Sequence, residues 1–298
     1  MQLGLIGLGR MGSGMTRRLM QGGHKLVVYD RSPETVAAVA GDGAVGASSL
    51  EDLGQKLKAP RTVWLMIPAG PPVDDTIQRL SGVVSQGDLI IDGGNSNYKD
   101  SMRRAEMLRS QQVEFLDVGV SGGIWGLKVG FNLMVGGNQA VFKQVEPIFE
   151  TLAPTDGYAY VGPSGAGHYA KMVHNGIEYS MLQSYAEGFE ILKAAPFGFD
   201  LAQLARLWNH GSVIRSWLLE LAQTAFEHDP ELAHIQGYVE DSGEGRWTLE
   251  EALEHAVPAP ALAMSLFMRY RSRQDDSFSA KVISALRNEF GGHPVKTE

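Results

Sequence analysis

Cysteine is absent from all 298 residues. Its absence removes disulfides, thiolate nucleophiles and cysteine-ligated metal sites, and suits a reducing cytosol. No window approaches the roughly 18 uninterrupted apolar residues of a bilayer-spanning helix, and no basic segment with a small-residue cleavage site opens the chain. A soluble, cytoplasmic protein with no membrane partner is therefore expected. Positive charge is also in deficit: 26 Lys and Arg stand against 34 Asp and Glu, a formal net charge of −8. General nucleic-acid or membrane-surface binding needs a basic face, so both classes are disfavoured. A small anionic substrate remains compatible if basic residues gather locally. Neither an internal repeat nor a low-complexity tract is present.

What is there reads as two domains. Short aliphatic runs bounded by Gly, Pro or Asp predict buried strands at Leu3–Leu8, Leu26–Tyr29, Val63–Ile67, Leu89–Ile91, Phe115–Val118, Phe131–Val135 and Tyr158–Val161. Strands separated by helical stretches imply βαβ units and a parallel sheet. After Gly162-Pro163-Ser164-Gly165 the pattern turns helical, over Ala166–Ala194, Leu201–His210, Ile214–Phe226, Leu249–Ala256 and Leu262–Phe290. The expected fold is an α/β Rossmann-type domain over 1–163 followed by an all-α domain over 164–298. Helices this long in a small domain call for a partner subunit to bury their apolar faces.

Gly7-Leu8-Gly9-Arg10-Met11-Gly12 is G-x-G-x-x-G placed directly after the first strand. Glycines there allow a tight turn and close backbone approach to a pyrophosphate, and the helix beginning near Met11 points its amides at that anion. Asp30 ends the second strand about 20 residues after Gly9, where a carboxylate accepts hydrogen bonds from ribose hydroxyls and repels a 2′-phosphate. NAD is thus favoured over NADP. Arg31 is suited to lie along an adenine or a 2′-phosphate and leaves NADP use open. Asp92-Gly93-Gly94-Asn95-Ser96 and Asp117–Gly123 follow later strands, where ligands of such sheets collect.

Lys171-Met172-Val173-His174-Asn175-Gly176-Ile177-Glu178-Tyr179 departs from an ordinary amphipathic helix. At ~100° per residue, Lys171, His174, Asn175, Glu178 and Tyr179 share one face. That face carries a base, two hydrogen-bonding groups, an acid and a phenol, where a structural helix would place apolar residues.

Together, Gly7–Gly12, Asp92–Ser96, Val120–Gly123, Gly167–Tyr179, Gly245–Thr248 and the tail Arg287–His293 closely resemble 6-phosphogluconate dehydrogenase, the decarboxylating enzyme of the pentose phosphate route. The resemblance runs nearly end to end, and the chain is similar to the short bacterial form, often NAD-preferring. It lacks room for the internally doubled helical domain of the longer enzymes. The resemblance implies 6-phosphogluconate as substrate, Lys171 as general base and Glu178 as the acid that protonates C1. A base must be neutral when it takes a proton, which burial of an amine near a cation favours. It further implies that Asn95, Ser121, Gly122, Gly123, His174 and Asn175 hold the carboxylate and hydroxyls, and that Ala69 and Asn95 lie against the cofactor. Tyr179 and Arg269 would grip the phosphate, joined by Arg287 and His293 from a neighbouring subunit in a homodimer or homotetramer that exchanges C-terminal tails. No metal is implied, because the keto group formed at C3 is itself the electron sink.

Two departures stand out. Ser242 replaces the first lysine of the family loop Lys-Gly-x-Gly-Lys-Trp-Thr, so either Arg246 takes over or phosphate binding weakens. Pro68 replaces a lysine near the cofactor. Two alternative readings are a 3-hydroxyisobutyrate-type β-hydroxyacid dehydrogenase, which shares the glycine loop and the lysine but lacks the Glu178-Tyr179 pair, and a non-catalytic NAD-sensing protein.

Overall fold

The computed structural model describes residues 1–297. By contact the chain forms two compact units, Met1–Asn175 and the residues from Gly176 onward. The first contains β1 (Gln2–Ile6), α1 (Arg10–Gln21), β2 (Lys25–Tyr29), α2 (Pro33–Gly41), β3 (Val45–Gly46), α3 (Leu50–Lys56), β4 (Thr62–Leu65) and α4 (Pro71–Leu80). It continues with β5 (Leu89–Asp92), α5 (Tyr98–Arg109), β6 (Glu114–Ser121), α6 (Gly126–Val129), β7 (Asn132–Gly137), α7 (Gln139–Leu152) and β8 (Tyr158–Gly162). The long helix α8 (Ala166–Ala194) begins in this unit and continues into the second.

All eight strands join one sheet in the order β3-β2-β1-β4-β5-β6-β7-β8. β1 pairs in parallel with both β2 and β4, so the winding reverses there, and ligands of such sheets collect beyond the C-terminal strand ends. Both faces are covered, which is why the inner strands are uniformly aliphatic rather than alternating. Leu3, Leu5, Met15, Trp64, Phe131 and Phe149 belong to one apolar layer, and Val27, Leu50, Val63, Ile77 and Ile90 to the other.

The seven expected strands are all present, with ends shifted by at most three residues. β3 escaped notice because two residues carry no readable period. β7 departs from the expected parallel arrangement, running antiparallel to β6. Only the short α6 region links them, and a parallel crossover needs about a dozen residues or more. The boundary expected near residue 163 falls just after β8, whereas the compact units divide inside α8. Glycines explain why the first turns of α8 stay with the sheet: Gly167 lies against the Asp117 and Met134 carbonyls, and a side chain at Gly119 would collide with Lys171.

The second unit adds α9 (Leu201–Trp208), α10 (Trp217–His228), α11 (Glu244–Glu254), α12 (Pro260–Arg271) and α13 (Phe278–Gly291). The single helix expected over Leu262–Phe290 is two, α12 and α13. The intervening Ser272–Ser277 is polar, and such side chains offer the backbone alternatives to helix; Ser277 caps α13 through the Ala280 amide. Phe189, Leu201, Ala205, Leu219 and Phe226 form one small core, and Tyr179, Leu262 and Leu266 another. α13 buries none of its side chains, and Phe278, Ile283, Leu286 and Phe290 are exposed along it. No helix among the described residues is long and apolar enough to cross a membrane.

Candidate active site

Gly7 adopts φ +94°, and a side chain there would strike the Met66 carbonyl. Gly9 is the opposite case: a Cβ on it would meet nothing, so its missing side chain keeps open the approach to the amides at the start of α1. That is the cradle a pyrophosphate requires. Asp30 braces the loop, its carboxylate accepting from the Leu8 amide at 2.7 Å and the Ser32 amide at 2.9 Å. Each oxygen retains acceptor capacity for a ribose hydroxyl. Leu8 and Gly12 are buried, while Arg10 and Arg31 are exposed at the mouth. These residues fit a nicotinamide dinucleotide.

The next strand ends are held by an ion network that the sequence did not disclose. Asp92, at the end of β5, and Arg104, in α5, are both fully buried. Arg104 Nη1 donates to Asp92 Oδ2 at 3.2 Å, Nε to Asp74 at 2.8 Å, and Nη2 to the Gly70 carbonyl at 3.1 Å. Asp92 also accepts from the Gly94 amide and the Ser96 hydroxyl. One guanidinium thereby ties together the loop after β4, which holds Pro68 and Ala69, and the loop after β5. Asn95 takes the left-handed conformation with φ 54°. Its amide clamps Val120 at both ends, Nδ2 donating to the carbonyl at 3.1 Å and Oδ1 accepting from the amide at 2.9 Å. One N–H and one lone pair remain for a ligand. Ser121, Gly122 and Gly123 follow directly, with both glycines at positive φ.

The start of α8 is capped from the sheet. Asp117 of β6 is fully buried and accepts from the Gly165 amide at 2.7 Å and the His168 amide at 2.9 Å. A carboxylate at a helix N-terminus satisfies orphan donors and complements the dipole. His168 is buried one turn before Lys171, with Nδ1 2.7 Å from Ser101 Oγ of α5. Lys171 is 5% exposed, and its Nζ donates to Asn175 Oδ1 at 2.7 Å. His174 Nδ1 lies 3.0 Å from the same oxygen. The first unit thus brings together Lys171, His174 and Asn175 of the expected polar face.

In the second unit α8 carries Glu178, half-buried, and Tyr179, buried. The Ser242 amide donates to Tyr179 Oη at 3.0 Å, and Ser242 Oγ lies 3.3 Å from it. The Arg269 guanidinium stacks 3.5 Å above the Tyr179 ring centroid while Nη1 donates to the Glu240 carbonyl at 2.7 Å. Arg246 contacts Asp241. The structure does not bring Arg287 or His293 to this cluster: both are exposed, on α13 and just beyond it, and among the described residues neither bonds to Tyr179 or the loop around Ser242.

A doubly wound sheet with a glycine cradle, an acidic residue at the second strand end and a buried lysine on the following helix defines a nicotinamide-dependent dehydrogenase. Residues 2–162 match the family described as the NAD binding domain of 6-phosphogluconate dehydrogenase, and residues 167–297 match its C-terminal domain. The chain is 46% identical over 297 residues to the NAD(+)-dependent, decarboxylating 6-phosphogluconate dehydrogenase of Haloferax volcanii, covering 99% of this chain and 98% of that one. The Plasmodium falciparum 6-phosphogluconate dehydrogenase matches with TM-score 0.83 and 31% identity, over 100% of this chain and 66% of that one. The Salmonella typhimurium 3-hydroxyisobutyrate dehydrogenase shares the fold, with TM-score 0.76 at 20% identity over 91% of this chain and 93% of that one. The chain belongs to the 6-phosphogluconate dehydrogenase family and is an oxidoreductase.

Proposed function

We propose that the protein oxidises and decarboxylates 6-phosphogluconate to ribulose 5-phosphate and CO2, reducing NAD in the pentose phosphate route. The observation that carries this reading is Lys171, buried on α8 beside His174 and Asn175, with Glu178 seven residues further along the same helix. Lys171 takes the proton of the C3 hydroxyl as hydride leaves C3, and the nicotinamide, when bound, supplies the hydride acceptor. The C1–C2 bond of the resulting 3-keto acid then breaks, CO2 departs, and the electron pair moves onto the C3 oxygen, which receives the proton held by Lys171. Glu178 protonates the carbon left by CO2 while Lys171, again neutral, takes back the proton of the C3 hydroxyl, giving the ketose. Ser121, Gly122, Gly123, Asn95, His174 and Asn175 orient the carboxylate and hydroxyls. Tyr179 and Arg269 serve the phosphate.

Initial rates test the substrate and the cofactor together. NADH and CO2 are expected from 6-phosphogluconate, with kcat/KM higher for NAD than NADP because Asp30 meets the ribose end with negative charge. Faster turnover of 3-hydroxyisobutyrate would overturn the substrate reading; no NADH or CO2 from 6-phosphogluconate would support the NAD-sensing alternative, and preference for NADP would overturn the role given to Asp30.

The exposed Phe278, Ile283, Leu286 and Phe290 support an oligomer in which α13 is covered by a second copy, with Arg287 and His293 completing the neighbour's phosphate site. Ending the chain before Arg287 is expected to raise KM for 6-phosphogluconate. An unchanged KM, or a monomeric mass for the full chain, would count against tail exchange.

A further inference from the structure

His168 is a buried side chain that the proposed chemistry leaves unused. It is 1% exposed, and among the described residues its Nε2 is the one buried side-chain polar atom without a hydrogen-bond partner. Leaving a ring nitrogen unpaired in the interior costs more than one neutral hydrogen bond returns. The 2.7 Å contact of Nδ1 with Ser101 Oγ therefore does not account for a histidine on grounds of stability. An apolar side chain of similar volume would serve the packing better.

What the contact does is close a ring. Lys171 packs over Gly119 of β6, and the next residue, Val120, is clamped by Asn95. Two residues after Asn95, the Asn97 side chain caps α5 by accepting from the Lys99 amide at 2.9 Å. Ser101, fully buried one turn into α5, donates its amide to the Asn97 carbonyl at 3.2 Å and meets His168 through its hydroxyl. His168 leads back to Lys171, three residues further along α8. Around this contact the Tyr98 and Tyr169 rings meet edge to face with centroids 4.9 Å apart, and a side chain at Gly165 would strike Met102. Such packing holds the two helices together but is non-directional. The hydrogen bond fixes their register.

We propose that His168 is a positioning residue for the reaction: through Ser101 it fixes α8 on α5 and so sets the distance from Lys171 to Asn95. A misplacement of about 1 Å is enough to cost on the order of 10²-fold in rate. The proposal rests on the reading of Lys171 as the general base.

Asparagine and glutamine separate positioning from packing. Asparagine carries its amide where the imidazole carries Nδ1, whereas glutamine carries its amide nearer to Nε2. His168→Asn is expected to keep kcat with 6-phosphogluconate close to that of the unaltered protein. His168→Gln and His168→Leu should lower it about 10- to 100-fold, the scale of a displacement of up to about 1 Å. KM for NAD should stay unchanged in all three, because the glycine loop and Asp30 lie outside the ring. The urea midpoint of His168→Leu should equal or exceed that of the unaltered protein. Ser101→Ala should lower kcat as His168→Leu does, and the two combined should lower it no further. Crystal structures give a readout that needs no turnover: Lys171 Nζ should move relative to Asn95 by more than about 0.5 Å in His168→Leu and stay in place in His168→Asn. Unchanged kcat in His168→Leu, a loss of kcat there that follows a loss of stability and persists in His168→Asn, or an unmoved Lys171 would overturn the proposal. If the unaltered protein yields no NADH from 6-phosphogluconate, the functional reading fails instead, and the displacement of Lys171 still decides the positioning role.

Discussion

Lys171→Met is expected to lower kcat by ~10²–10⁴-fold, the contribution of a positioned acid–base group, while NAD affinity stays near that of the unaltered protein. Methionine keeps the unbranched stem that packs over Gly119, so the α8–sheet approach survives and only the amine is lost. The cofactor cradle rests on Gly7, Gly9 and Asp30, and the Asp30 carboxylate is held by the Leu8 and Ser32 amides of its own loops. Stopped-flow or steady-state NADH absorbance gives kcat, and quenching of protein fluorescence by NADH gives cofactor affinity. Residual turnover above about 1% of the unaltered rate, set against that range, would remove Lys171 from the role of base. A parallel loss of NADH binding would show instead that the substitution had disturbed the first unit as a whole.

The second large effect is on stability. Arg104→Leu is expected to destabilise the protein by about 3–5 kcal/mol, because it leaves Asp92 buried without its counter-charge. Leucine fills much of the space but cannot donate to Asp92, Asp74 and the Gly70 carbonyl together. Arg104→Lys should fall between the two, since one ammonium cannot reproduce a three-way fork. Arg104→Leu combined with Asp92→Asn should recover part of the loss, because the buried charge is removed along with its partner. Urea denaturation followed by circular dichroism reads these differences. A loss below about 1 kcal/mol in Arg104→Leu, the scale of an exposed pair, would mean that the network is not a buried support. Because the same guanidinium holds the loops after β4 and β5, the destabilised variant should also show a raised KM for NAD.

These cases show where the site is visible along the chain and where it is not. The glycine loop is local: its residues are contiguous, and their function follows from backbone conformation. The polar face of α8 is local as well, since helix geometry alone aligns Lys171, His174 and Asn175. Arg104 gives no such signal. It follows Arg103 in a helix of mixed polarity, and only the sheet crossing beneath α5 makes one arginine exposed and its neighbour fully buried. Asp117 is similarly silent, because the helix it caps begins some fifty residues later in the chain. The division of Leu262–Phe290 into α12 and α13, and the reversed direction of β7, turned on polar competition and on connection length, which apolar periodicity does not report.

Ser242 is the most instructive position. From the chain alone it is a missing lysine, with Arg246 as one replacement. In the structure its amide and hydroxyl are spent on Tyr179, and the neighbouring Asp241 gathers Arg246 with Arg273 from 32 residues away.

The sequence by itself determined the two-part architecture, the dinucleotide loop with its acidic residue, and the polar face of α8, because each depends on short-range geometry or on the period of a single element. Only the tertiary structure decided which charges are buried, which carboxylates brace which loops, and which arginines stand together. Burial and charge pairing are set by residues distant in the chain, and no local pattern encodes the low-dielectric surroundings that give those pairs their strength.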